Sequence, residues 1–251
     1  MDFTELAFKR IDGSWIKTLD YVDWANELLE GGCDAPSIWE LAVCRWDDYV
    51  DSDQVERLFQ SSINELRLEL PSGWYSALCA YSSSICQKML QGLLTPWECV
   101  QEMLTISDDY NEPYIHWIWL DLVNDLDPTK AQTDCIKFNG ALDLNKPEEC
   151  IQTVAEQFVF LCSVSLPERF PWIWRCEMCQ ALSEENTFTQ TKTCTCTRCG
   201  GIATMKNMRF FENRAALVKS LDGGEKTGVK MLSSVRFGAE ADGATESPPV
   251  A

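Results

Sequence analysis

Four cysteines in the last third of this 251-residue chain are spaced like the ligands of a metal ion. They form two Cys-x-x-Cys pairs, Cys176 with Cys179 and Cys196 with Cys199, and sixteen residues separate the pairs. Each pair can present two thiolates from one tight turn, and a hairpin can bring the two turns together around a tetrahedral Zn²⁺. The pattern predicts a zinc ribbon with a closed, structural site. A redox Cys-x-x-Cys pair is the alternative interpretation.

A fifth cysteine leaves the third ligand open to a second assignment. Cys194 lies two residues before Cys196, so either thiol could reach the metal from the same strand end. We interpret Cys194 as a spare thiol and keep Cys176, Cys179, Cys196 and Cys199 as the metal ligands.

The rest of the chain contains few groups suited to catalysis. Its single histidine, His116, lies within a strongly apolar segment and is interpreted as a buried core residue, not as a general base. Acidic pairs such as Asp47–Asp48 and Asp108–Asp109 fall at predicted helix ends, where aspartate commonly caps a helix. No glycine-rich phosphate-binding motif is present. We therefore expect no catalytic residue, no cofactor besides zinc, and a protein that is not an enzyme.

Charge is distributed unevenly along the chain. Residues 1–165 contain 10 basic and 29 acidic residues, a net charge of −19, whereas residues 166–251 contain 11 and 10, a net charge of +1. A strongly negative field repels nucleic acid and attracts basic proteins. We expect a basic protein partner and no nucleic-acid binding by the full chain. The basic residues near the second cysteine pair could dock the ribbon on the acidic region or contact nucleic acid.

Composition also bears on the compartment. No run of about 18 uncharged apolar residues is present, so no membrane-spanning helix is expected. The N-terminal residues lack the pattern of a secretory signal. Thirteen cysteines form an odd number, and many lie in apolar, helix-like segments where a free thiol packs as a small hydrophobe. These features predict a cytoplasmic protein with reduced cysteines.

Residues 1–165 carry repeated helix signals, which predict a mainly α-helical fold. Ser37 and Glu40 have the spacing of a capping box behind Pro36, and Thr95 and Glu98 repeat that arrangement around a second proline. The predicted helices begin near Thr18, Asp34, Asp51, Gly73, Thr95, Glu112 and Pro147. We expect an acidic helical bundle over residues 1–165, a small β zinc ribbon with a short following helix over 166–221, and a disordered tail over 222–251.

Part of the helical region resembles a group of small, poorly characterised bacterial proteins. The resemblance lies in the segment 22–32, VDWANELLEGG, and the segment 36–42, PSIWELA, which together follow a WAxxLLExG…SxxxLA pattern. Residues 81–98, a long helix followed by a short one capped at Thr-Pro, are similar to the second half of that group. The resemblance covers about residues 20–126 and implies a helical fold. Such proteins are similar to the small acidic immunity proteins that accompany bacterial toxins.

Charge, the single histidine and this resemblance favour a non-enzymatic binding protein. The leading hypothesis is an immunity-type inhibitor that covers a basic bacterial toxin, with a nuclease as one candidate. The alternative hypothesis is a regulator or adaptor that contacts nucleic acid through the zinc ribbon.

Overall fold

The structure is a computed structural model, and it describes most of the chain up to residue 207. The described residues are 1–13, 16–46, 51–109, 114–127, 138–140, 142–164, 166, 170–171, 174–183 and 191–207. The predicted short helix within 212–221 and the predicted tail 222–251 lie outside these residues, as do Asp47 and Asp48.

The described part of the chain is mainly helical, as the sequence predicted, and contains eight α-helices. They are α1 (Phe3–Asp12), α2 (Thr18–Glu30), α3 (Pro36–Val43), α4 (Ser52–Glu65), α5 (Trp74–Leu90), α6 (Pro96–Asp109), α7 (Trp117–Leu126) and α8 (Pro147–Cys162). Short 3₁₀ turns follow α3 at Cys44–Trp46 and precede α7 at Tyr114–His116. No described helix combines the length and the apolar character that crossing a membrane requires.

One of the two predicted capping boxes forms, and the other does not. At the start of α6, the Glu98 backbone N–H donates to Thr95 Oγ1 at 3.2 Å, and the Thr95 N–H donates to the Glu98 carboxylate at 2.7 Å. At the start of α3, the capping residue is Ala35, and Ser37 donates from both its backbone and its hydroxyl to the carboxylate of Glu65 on α4. The Ser37–Glu40 prediction was therefore wrong, because Ala35 is the capping residue, and the Ser37 N–H that the box would have directed to Glu40 donates to a carboxylate on another helix.

Helix α1 was not among the predicted helices, although its start carries a recognisable signal. The Asp2 side chain caps the helix by accepting from the Glu5 backbone N–H at 2.9 Å. Asp2 also pairs with Lys88 of α5, with 2.6 Å between the Lys88 Nζ and the carboxylate. The aspartate before an apolar, helix-forming run could have identified this element.

The helices bury two separate hydrophobic clusters, and α1 contributes to both. The N-terminal cluster joins α1 to α2, α3 and α4 around Leu6, Trp24 and Phe59. The central cluster joins α1 to α5, α6, α7 and α8 around Phe8 and Trp119. Because adjacent residues of one helix point in different directions, α1 connects the two halves of the helical region.

A four-stranded antiparallel sheet follows the helices. Its strands are β1 (Trp174–Cys176), β2 (Leu182–Ser183), β3 (Thr191–Thr195) and β4 (Ile202–Asn207), in the order β2-β1-β4-β3. Cys176 pairs with Met205, and Cys194 pairs with Ala203. The sheet buries a third, small cluster of its own around Trp174, which includes Cys176 and Cys196.

Candidate metal centre

Two similar turns at one end of the sheet hold the two cysteine pairs. In the first turn, the Gln180 N–H donates to the Cys176 carbonyl at 2.9 Å, and the Cys176 N–H donates to the Ala181 carbonyl at 2.9 Å. In the second turn, Gly200 and Gly201 stand in the same relation to Cys196, with both distances again 2.9 Å. The chain therefore builds the same thiol-presenting turn twice, once after β1 and once after β3.

Each turn needs one residue with a left-handed backbone. Gly200 has a φ of 68°, and Gln180, at the equivalent place, has a φ of 60°. Glycine adopts this conformation readily, whereas residues with a Cβ do so at a cost. The second turn therefore has a glycine at its left-handed position, and the first turn has a residue with a Cβ there.

This difference predicts unequal effects of substitution in the two turns. Gly200→Ala should cost about 1 kcal/mol, because a Cβ there meets no other atom within 4 Å and only the backbone strain remains. We expect a metal affinity several-fold weaker in competition with a chromophoric chelator. Gln180→Gly is the matched control and should leave the affinity nearly unchanged. An equal loss in both variants would contradict the assignment of the cost to the left-handed backbone.

The four predicted ligands converge on one point. The Sγ atoms of Cys176, Cys179, Cys196 and Cys199 all lie within 4.8 Å of one another, and the Cys179 and Cys196 sulfurs are 3.6 Å apart. Four sulfurs at the usual Zn–S distance of about 2.3 Å in a tetrahedron are separated by about 3.8 Å. The arrangement is compatible with a bound metal ion, and small movements of the side chains would complete a tetrahedral site.

The surroundings act in opposite directions on two of the four sulfurs. A backbone hydrogen bond from Ala181 lowers the pKa of the Cys179 thiol, but burial and the neighbouring thiols outweigh it and raise that pKa to about 11. The backbone N–H groups of Cys199 and Arg198 donate to the Cys196 sulfur and lower the pKa of that thiol to about 6. Cys176 and Cys196 are buried, whereas Cys179 is half-buried and Cys199 is exposed. The site is therefore open to solvent on one side, which gives a metal a route of entry.

Cys194 is not a member of this group of four. It lies in β3, where it packs half-buried against the small cluster of the sheet. The second turn begins at Cys196, after the strand has ended, so only the later thiol is carried toward the first pair. Geometry thus favours Cys196 as the third ligand.

The histidine and the acidic pair considered as candidate catalytic residues lie in separate parts of the helical region. His116 is fully buried beneath the helices; its Nδ1 lies 3.2 Å from the Met103 carbonyl and its Nε2 lies 3.0 Å from Ser82 Oγ. A carbonyl only accepts, so Nδ1 carries the proton and Nε2 accepts from the serine hydroxyl. The histidine therefore ties α5, α6 and the turn before α7 together. Asp108 and Asp109 end α6 at the surface.

No family model, no curated protein and no solved structure matches the chain.

Proposed function

We propose that the four cysteines bind one Zn²⁺ and that the sheet is a zinc ribbon. Two turns that converge and four thiols whose sulfurs all lie within 4.8 Å of one another support zinc over harder metals, which prefer oxygen. Four protein ligands leave no position for water or substrate, so the ion would act by joining the ends of the sheet. The cluster beneath the sheet is too small to stabilise it without such a link.

We propose further that the protein is an immunity-type inhibitor of a basic toxin, without enzymatic activity of its own. The observation that carries this proposal is the net charge of −19 on residues 1–165. A field of this size and sign raises the rate at which a basic protein meets the helical region. The resemblance of residues 20–126 to immunity-like proteins is the second ground for this proposal.

Two features of the structure support a binding role. The single histidine, His116, is buried and hydrogen-bonded to Ser82 and to the Met103 carbonyl. Histidine is the most common general base, and this one does not reach the surface. The twelve described cysteines are free thiols, which suits a reducing cytosol where a toxin would be neutralised. Inhibition would then consist of covering the toxin surface, with aromatic side chains supplying most of the binding energy.

The expected result is a salt-dependent association with the product of a neighbouring toxin gene. Co-expression should restore growth, the two proteins should co-purify, and the association rate should fall steeply as ionic strength rises, because salt screens the long-range attraction. Stopped-flow fluorescence at several salt concentrations measures that rate.

A truncated chain provides the control for this experiment. Residues 1–171 retain both helical clusters and should still rescue growth, which would leave the ribbon as a stabilising module. A confirmed toxic neighbour that neither binds nor is neutralised would end the inhibitor proposal. Association that is insensitive to salt would remove its electrostatic basis.

A further inference from the structure

The most exposed aromatic side chains of the described region lie along a single helical face. Trp39 is 57% exposed, Val43 is 53% exposed and Trp46 is 82% exposed. They belong to α3 and the 3₁₀ turn that continues it, and a spacing of four and three residues stacks them on one side. We call these three residues the tryptophan stripe. The opposite side of α3 buries Ile38 and Leu41 in the N-terminal cluster, so the stripe is not needed to fill the core.

A neighbouring helix forms an open groove with Trp39 and Val43, two of the three residues of the stripe, whereas Trp46 is not part of the groove lining. The groove is lined by three residues of α3 and by two residues of α4: Trp39, Glu40, Val43, Gln54 and Leu58. Leu58 is half-buried and, like Trp39, contributes an apolar side chain to the groove lining. An apolar surface of this kind, bordered by polar groups, is typical of a protein-binding site. Tryptophan in particular dominates binding energy when a partner covers it.

The charge around the groove restricts the chemistry of the partner. Residues 39–58 contain six acidic and two basic residues, a net charge of −4. One of the two bases, Arg45, is paired with Asp23, with 2.6 Å between its guanidinium nitrogen and the carboxylate. One of the six acids, Glu56, is likewise paired with Arg10 of α1 at 2.6 Å. Glu40 is exposed on the groove wall itself. A basic partner can place Lys or Arg beside these carboxylates and over the exposed indoles, where cation–π attraction adds to the ion pairs.

We propose that the groove between α3 and α4 is the docking surface for a basic protein, which inserts an apolar side chain between Val43 and Leu58. Lysine or arginine residues flanking that side chain pair with Glu40. This inference rests on the proposed inhibitor function for the identity of the partner, and it adds the place where the partner binds. The charge and the stripe together exclude acidic partners from the same groove.

The test uses the full chain and a synthetic amphipathic peptide of leucine and lysine. Isothermal titration calorimetry should show saturable binding that weakens as salt is added. The double variant Trp39→Ala/Trp46→Ala should bind about tenfold more weakly or not at all, because it removes both exposed indoles. Val43→Lys should weaken binding similarly through charge repulsion. Trp97→Ala, which removes a 46% exposed tryptophan from α6, is the matched control and should bind like the unaltered chain.

Several results would overturn the proposal. Equal binding by the double variant, or equal binding of a leucine and glutamate peptide, would show that neither the stripe nor the charge selects the partner. A dimer that dissociates in Trp46→Ala would assign the groove to a second copy of the chain. Peptide binding that appears only after removal of residues 208–251 would assign it to the chain's own C-terminal segment. Insertion of the stripe into anionic phospholipid vesicles would assign it to a membrane surface.

The peptide and the co-expression experiment can fail separately. Peptide binding at the stripe without rescue of growth would retain the groove and reject the toxin. Rescue that is unaffected by Trp39→Ala/Trp46→Ala would retain the inhibitor and place its interface elsewhere.

Discussion

Replacement of Cys176 by serine should release the bound metal and unfold the four-stranded sheet, while the helices stay folded. Cys176 is the most deeply buried of the four proposed ligands and also pairs β1 with β4, so its loss removes both a thiolate and a link in the sheet. Apparent binding energies of structural zinc sites in small domains are about 10–16 kcal/mol, far more than the small cluster beneath this sheet can replace. The helical clusters are separate and have their own buried residues.

Elemental analysis and NMR spectroscopy measure the two halves of this prediction. The unaltered chain, purified under reducing conditions, should contain one zinc ion, and Cys176→Ser should contain none. Amide signals of β1–β4 should collapse toward random-coil positions, while those of the helices persist. Cys194→Ser is the matched control, because it removes a thiol from the same sheet that lies outside the group of four. Loss of zinc in this control would transfer the third ligand from Cys196 to Cys194, and absence of zinc in the unaltered chain would refute the metal site.

Acidification should destabilise the helical region through its buried histidine. Burial lowers the pKa of His116 to about 4, against the effect of its bond to the Met103 carbonyl, which favours the charged form. The unfolded chain takes up the proton near pH 6.5, whereas the folded chain resists it down to about pH 4. Above pH 6.5 the histidine is neutral in both states and does not change the free energy of unfolding. As the pH falls from 6.5 toward 4, only the unfolded chain gains the proton, so the free energy of unfolding decreases. The expected loss from this one group is about 3 kcal/mol.

The variant His116→Gln separates this effect from the titration of the many carboxylates. Glutamine has no proton to gain over this range, and it keeps an amide that can bond to Ser82 or Met103. Urea unfolding, followed by helical circular dichroism from pH 7 to pH 4, should show the free energy of unfolding falling about 3 kcal/mol further in the unaltered chain than in the variant. Zinc release at low pH is common to both chains and cancels in the difference. Parallel curves would show that the histidine is not the responsible group.

Local features of the chain were predictable from sequence because they depend on neighbours within a few residues. The start of α6 follows from Thr95, Pro96 and Glu98, which satisfy the first free N–H groups of the helix among themselves. The four cysteines likewise carry their own geometry, since two residues between thiols suffice for a tight turn. The burial of His116 was predictable from the apolar residues on both sides of it.

Tertiary structure decided every feature whose partner lies far along the chain. Ser37 has the sequence of a capping box, but its donors go to Glu65, twenty-eight residues away, because α4 packs against the start of α3. Phe170 follows the predicted end of the helical region at residue 165 and still packs into the central cluster. A local sequence pattern shows which hydrogen-bond partners lie a few residues away. It does not show a competing partner from a distant part of the chain, because that partner comes close only when the helices pack together.

The same limit applies to the surface. The sequence by itself determined that residues 1–165 are acidic and rich in aromatic residues, and from the charge it predicts a basic partner. It did not determine which tryptophans are available, since Trp24, Trp39 and Trp46 all occur in helical segments of similar character. Packing buries Trp24 in the N-terminal cluster, leaves Trp39 exposed in the groove that Leu58 also lines, and leaves Trp46 exposed to solvent. Exposure is a property of the assembled helices, and only their arrangement shows where a partner can bind.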